Sequence, residues 1–168
     1  MNTKSRIAGT LGLLLSSCAT SGLDPLVVDG HEMHPSLVTV QLGEESYRLL
    51  SRAVLPDNPH LSTDAGFIEA IARNGSQGKI GGEGIRAALF ALYRGESELG
   101  LYGLEAASIA GADRLEGVLR NIWAHNVGLD RAHVHRGEEV LVVVFHDGVS
   151  PSCWETVNTG IAERLITR

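Results

Sequence analysis

The run Val140-Leu141-Val142-Val143-Val144-Phe145 constrains the fold of this 168-residue chain more than any other feature. Successive residues of a strand point to opposite faces, so a strand apolar at every position is covered on both sides. The run therefore reads as a central strand. Residues 131–136 precede it, and Gly137-Glu138 between the two reads as the turn of a hairpin. Further upstream, Leu115, Val118, Leu119 and Ile122 fall at i, i+3, i+4 and i+7, the clearest amphipathic helix pattern in the chain, spanning about 112–125. Residues 98–106 read as a strand interrupted by Gly100 and Gly103. A last helix starts near Ser150-Pro151 and turns Trp154, Val157, Ile161 and Leu165 inward. The second half is thus β-α-β-β-α. Hairpins need no crossover helix, so the expectation is an α+β fold with a largely antiparallel sheet and helices packed on one face.

The first half reads mostly as helices. Leu26-Val27-Val28 before Asp29-Gly30 predicts a short strand and turn, and residues 37–42 predict a second strand. Tyr47, Leu50 and Val54 predict a helix over 44–54. Thr63 or Asp64 caps a helix to about Arg73, with Ala65, Ile68 and Ile71 or Ala72 inward. Asn74-Gly75 ends it, and Gly75, Gly78, Gly81, Gly82 and Gly84 make a flexible connection. Ile85, Ala88, Leu89 and Leu92 predict a further helix that stops at Gly95.

The chain begins Met1-Asn2-Thr3-Lys4-Ser5-Arg6, with two cations and no acid, followed by a short apolar stretch, Ile7 to Leu15. A basic start, an apolar segment and small residues before a cut site describe a secretory signal. About nine residues at ~1.5 Å each cross only about half of a ~30 Å hydrocarbon core. Leu15-Ser16-Ser17-Cys18 resembles the lipobox of bacterial lipoproteins. That resemblance, which covers the first eighteen residues, implies removal of residues 1–17 and acylation of Cys18. Ala19 rather than Asp after the cysteine resembles the Gram-negative pattern for the outer membrane, facing the periplasm. Residues 18–25 are then expected to be the acylated cysteine and a short polar tether, and 26–168 a single globular domain.

Removing the signal leaves 151 residues, enough for a real core. It also removes Lys4 and Arg6, so 12 cations face 20 anions for a net charge of −8. The cations are scattered, which argues against nucleic acid, a partner bound chiefly through phosphate neutralisation. With Cys18 acylated, Cys153 is the one remaining thiol, and no disulfide framework exists.

Among residues that could carry chemistry, the segment from His146 to Cys153 stands out. His146 ends the central strand, and Pro151 is favoured at the first helical position. Cys153 then falls in the first helical turn, where the positive dipole end lowers a thiol pKa. His146 is a possible base and Asp147 its orienting partner, so Cys153, His146 and Asp147 form a candidate nucleophilic set. The competing expectation is structural: Ser152-Cys153-Trp154-Glu155 fits a capping box, with Cys153 and Trp154 filling core. Trp123 is expected to be a core aromatic as well.

His133 and His135, at i and i+2 of a strand, share one face and are a weak candidate metal pair. A two-residue turn would pair His133 with Val140 or Val142. His146 would then lie roughly 13–20 Å away, beyond reach of a shared ion. His31 and His34 could join only by tertiary accident. The expectation is that His133 and His135 lie on the wet face of an edge strand. Gly75-Ser76-Gln77-Gly78-Lys79-Ile80 superficially suggests a phosphate loop, but the required glycine and the hydroxyl after Lys79 are replaced by Arg73 and Ile80. No cofactor is expected.

These features predict a lipid-anchored envelope protein held by Cys18, acting as a non-catalytic binding or assembly module on another envelope protein. The alternatives are a thiol-dependent enzyme or redox sensor using Cys153 with His146, and a small-ligand binding domain beside the Gly75–Gly84 loop.

Overall fold

The computed structural model describes residues 20–41, 57–126, 128 and 130–166. The signal, Cys18 and the helix expected over 44–54 lie outside them. A 3-10 turn, Asp24–Leu26, opens the fold, followed by α1 (Gly30–Met33), β1 (Val38–Thr39), β2 (His60–Ser62) and α2 (Ala65–Gly75). Then come β3 (Ile85–Arg94), β4 (Glu98–Ala106), α3 (Ile109–Asn126), β5 (Ala132–Arg136), β6 (Val140–His146) and α4 (Pro151–Ile166). The sheet runs β1-β3-β4-β6-β5, with β2 also pairing β3, and every pairing is antiparallel. The fold is α+β, and β4-α3-β5-β6-α4 is the expected β-α-β-β-α half.

The helices do not share one face. Phe67, Ile68 and Ile71 of α2 and Ala112 and Leu119 of α3 pack on Phe90, Leu104, Val134 and Val143. On the other face, Val157, Ile161 and Leu165 of α4 join Leu23, Leu26, Met33 and Leu37 over Leu89, Leu101, Val142 and Val144. The reason lies in β6, apolar at every position from Val140 to Phe145. A central strand apolar on both sides requires two cover layers, and β3 and β4 are equally two-sided, with nearly every residue buried.

That two-sidedness also explains why residues 85–94 form β3 and not the expected helix. The segment is apolar at almost every position, so helical spacing can be picked out of it without being its cause. Its register against β4, from Arg94↔Glu98 to Ile85↔Ala106, forms the longest pairing in the sheet. Gly100 and Gly103 do not interrupt β4. A Cβ on Gly100 would stand 2.3 Å from Cζ of Phe145, whose ring stacks on Tyr102 and Trp123, each at 5.1 Å between ring centres. A Cβ on Gly103 would stand 2.7 Å from Cδ2 of Leu23. The glycines make room for side chains arriving from opposite faces.

The N-terminal segment differs most from expectation. Leu26-Val27-Val28 is no strand: Pro25 starts the 3-10 turn, and Asp29 caps α1, donating its N–H to Glu32. Of the strand expected over 37–42, the described residues 37–41 hold the two-residue β1. The stretch expected as a tether is folded from Ser21 onward. Leu23 and Leu26 are wholly buried, so the polar look of residues 20–25 conceals a core residue. α2 holds its predicted place, with Asp64 Oδ1 accepting from the N–H of Phe67 at 2.9 Å, although Phe67 is buried and Ala65 exposed.

Candidate functional site

The strand-to-helix corner places His146, Asp147 and Cys153 near one another in sequence without assembling them. His146 Nδ1 accepts from the N–H of Gly148 at 2.9 Å and of Val149 at 3.1 Å. Its proton therefore sits on Nε2 and points to the carbonyl of Asp130 at 3.0 Å. Both ring nitrogens are committed to backbone, and the ring packs against Trp154 at 4.5 Å. No lone pair is left to take a proton from a thiol. Asp147 projects into solvent, 4.0 Å from Arg131, and makes no bond to the imidazole.

Cys153 is 3% exposed. Burial pushes its thiol up from the ordinary value, the opposite of the lowering expected from the helix end. A hydrogen bond with Ser36 pulls the other way, and the charge of Glu96 adds to the rise. Its N–H is capped by Ser150 Oγ at 3.3 Å, so Ser150 and not Ser152 serves as N-cap. The small pocket beside the thiol, about 190 Å³, is lined by His34, Ser36, Glu96, Val149 and Ser150. The imidazole there is His34, and its Nδ1 is engaged by the Ser36 hydroxyl at 2.8 Å. Sequence reasoning missed the His34–Ser36 neighbourhood because it reaches Cys153 only through the packing of the N-terminal segment on α4.

The histidine pair follows a register different from the expected one. The two-residue turn is Glu138-Glu139, one position later than expected and closed by the Gly137 N–H on the Val140 carbonyl at 2.8 Å, so Arg136 pairs with Leu141, His135 with Val142 and His133 with Val144. His146 therefore lies two residues beyond the partner of His133, nearer than a turn at Gly137-Glu138 would put it. Its nitrogens are nonetheless occupied, and among the described residues no group of three His, Cys, Asp or Glu side chains could hold a metal. His133 is exposed, as expected for an edge strand. His135 is not on a wet face: α4 covers it, and its Nε2 donates to Asn158 Oδ1 at 2.7 Å, while Asn158 Nδ2 donates to the Trp154 carbonyl at 2.8 Å.

Burial, opposed in part by the Asn158 bond, pushes His135 down to about 4. An unfolded histidine titrates near 6.5. Below that pH the unfolded chain takes up a proton that the fold refuses, so the contribution of His135 is complete above about pH 6.5 and is lost as pH falls toward 4. The expected loss is up to about 3 kcal/mol. Urea midpoints at pH 7.5 and 4.5 measure it, and His135→Gln is expected to flatten the difference. An unchanged slope in that variant would assign the acid sensitivity to other groups.

The glycine loop connects a helix to a strand and is pinned. The N–H groups of Gly82 and Ile80 bond to Glu69 Oε2 and Ser76 Oγ, the latter at 2.8 Å, and Gly78 donates to the Arg73 carbonyl at 2.7 Å. The Gly82 bond, with Arg73 beside it, holds the Glu69 carboxyl below its ordinary value. A depression of about 880 Å³ next to the loop is lined by Glu69, Arg73, Asn74, Gln77 and small residues. It lacks the aromatic and aliphatic walls typical of small-molecule sites.

A second buried charge was invisible in the sequence. Glu105, 7% exposed, ends β4. Its Oε2 accepts from the Ser21 hydroxyl at 2.5 Å and the Gly22 N–H at 3.1 Å, and its Oε1 accepts from Arg86 at 2.9 Å. Arg86 also bonds Glu139. The partners are 84 residues apart, so no local pattern could have paired them. Trp123, expected in the core, is half-buried and packs against the core cluster, and its indole N–H donates to the Gly75 carbonyl at 2.7 Å. No protein-family model, no curated protein and no solved structure matches the chain.

Proposed function

We propose that the chain is an envelope lipoprotein, anchored through acyl chains on Cys18, whose domain acts as a non-catalytic binding or assembly module. The observation that carries the non-catalytic reading is the state of the corner at His146. The thiol there is buried and raised in pKa, and the imidazole spends both nitrogens on backbone. A nucleophilic pair needs the reverse of each. The anchor reading is supported by the lipobox resemblance and by a folded domain whose first tertiary bonds among the described residues, at Ser21 and Gly22, lie three and four residues after Cys18. Several acyl chains on one residue give stable attachment where a single chain does not.

Thiol alkylation of the processed, detergent-purified protein tests the first part. Labelling of Cys153 is expected to be slow across pH 6–9 and to accelerate on unfolding. Fast labelling with a midpoint below the reference thiol value of about 8.5 would restore the enzyme reading. Cys18→Ser tests the second. It is expected to abolish incorporation of labelled fatty acid and to leave the protein unprocessed, whereas unaltered processing would remove the lipoprotein assignment.

A further inference from the structure

We propose that the Glu105 latch sets how the domain stands on its membrane: the sheet end built from Arg86, Glu105 and Glu139 faces the lipid surface, and the end carrying Glu98 and Asp147 faces away. This rests on the acylation of Cys18 proposed above. Ser21 and Gly22 both bond one oxygen of Glu105, and Leu23, wholly buried, follows at once. The chain therefore leaves the fold at a fixed point. From Ser21 back to Cys18 is three residues, at most about 10 Å of extended chain. β4 runs from Glu98 to Ala106, so Glu98 lies seven residues from the latch, about 23 Å along the strand. The Asp147 N–H donates to the Glu98 carbonyl at 3.1 Å, which places Asp147 at that far end. A leash less than half the length of the strand cannot exchange the two ends.

At the near end Arg86 lies between two carboxylates, Glu105 and Glu139, and pairs both. Asp147, at the far end, is 88% exposed and has only a distant Arg131 for company.

The test uses the processed, lipidated chain in phosphatidylcholine vesicles containing a spin-labelled headgroup lipid. A fluorophore is attached at Glu138→Cys, in the near-end turn, or at Asp147→Cys; buried Cys153 is expected to stay unlabelled, which the parent protein verifies. Quenching several-fold stronger at 138 than at 147 is expected. Equal or reversed quenching overturns the orientation. Inserting a ten-residue Gly-Ser segment between Ala19 and Thr20 leaves the latch and fold intact and is expected to bring the ratio toward one, as is Glu105→Ala. A ratio unmoved by the insertion also overturns the proposal. A chain that lacks acyl mass and does not bind vesicles overturns the anchor and the orientation together. A bound chain without a gradient overturns the orientation alone.

Discussion

Leu23→Ala is expected to cost the domain about 2–5 kcal/mol, the range for truncating a wholly buried leucine. The expectation is specific because the residue lies in a stretch whose composition suggests a tether. Its side chain fills the space left by Gly103 and packs beside Leu89, so truncation opens a cavity over the middle of the sheet and cannot be made good by solvent. Neighbouring Val27 is 41% exposed, and Val27→Ala is expected to stay within about 0.5 kcal/mol. Denaturant midpoints of the two variants decide the matter. Equal small effects would mean that the segment from Ser21 is not part of the folded unit.

Gly100→Ala is the second large effect, of opposite kind. The added methyl would lie 2.3–2.8 Å from three atoms of the Phe145 ring. That ring cannot swing clear, because Tyr102 and Trp123 stack on it. The backbone conformation at Gly100 is ordinary strand, so the penalty is steric. Overpacking of this sort costs about 1–3 kcal/mol, and the upper end is expected where the displaced group is an aromatic locked in a cluster. A fall in the urea midpoint together with a changed near-ultraviolet dichroism, reporting Trp123, is the expected result. A midpoint equal to that of the parent would show that the Phe145 ring has room to move.

The parts of the fold legible in sequence were those whose cause is local. The four-spaced leucines and isoleucine of α3, the Asp64 cap of α2 and the proline at the start of α4 each act within a turn or two. β6 was readable because nothing but a two-sided strand explains six apolar residues in a row. β3 carries the same signature but was masked by an accidental helical spacing of Ile85, Ala88, Leu89 and Leu92. The one-faced arrangement failed for a related reason: the burial pattern of β6 already required two cover layers, but which segment supplied the second was written in Leu23, Leu26, Met33 and Leu37, scattered through a polar stretch. At the candidate site, the thiol's place in the first turn of α4 was legible. Its burial was one of the two expectations, and what buries it was not legible, since Ser36 and Leu37 reach it from more than a hundred residues away. The register of the histidine pair depended on where one turn is centred, and its displacement by one residue, from Gly137-Glu138 to Glu138-Glu139, moved every pairing of the hairpin by two strand positions.

The two guanidinium bonds of Arg164, to the carbonyls of Pro25 and Glu32, join residues 139 and 132 positions apart. Any chain is synthesised amino end first, so the segment containing Leu23, Leu26, Met33 and Leu37 exists well before the helix that covers it. At about 5–20 residues per second that interval is on the order of ten seconds. Throughout it, these four apolar side chains lack the α4 part of their cover, and closing the last contact demands a loop of nearly the whole domain, the kind of pairing that slows folding most. The molecule is therefore built to finish from its end backward.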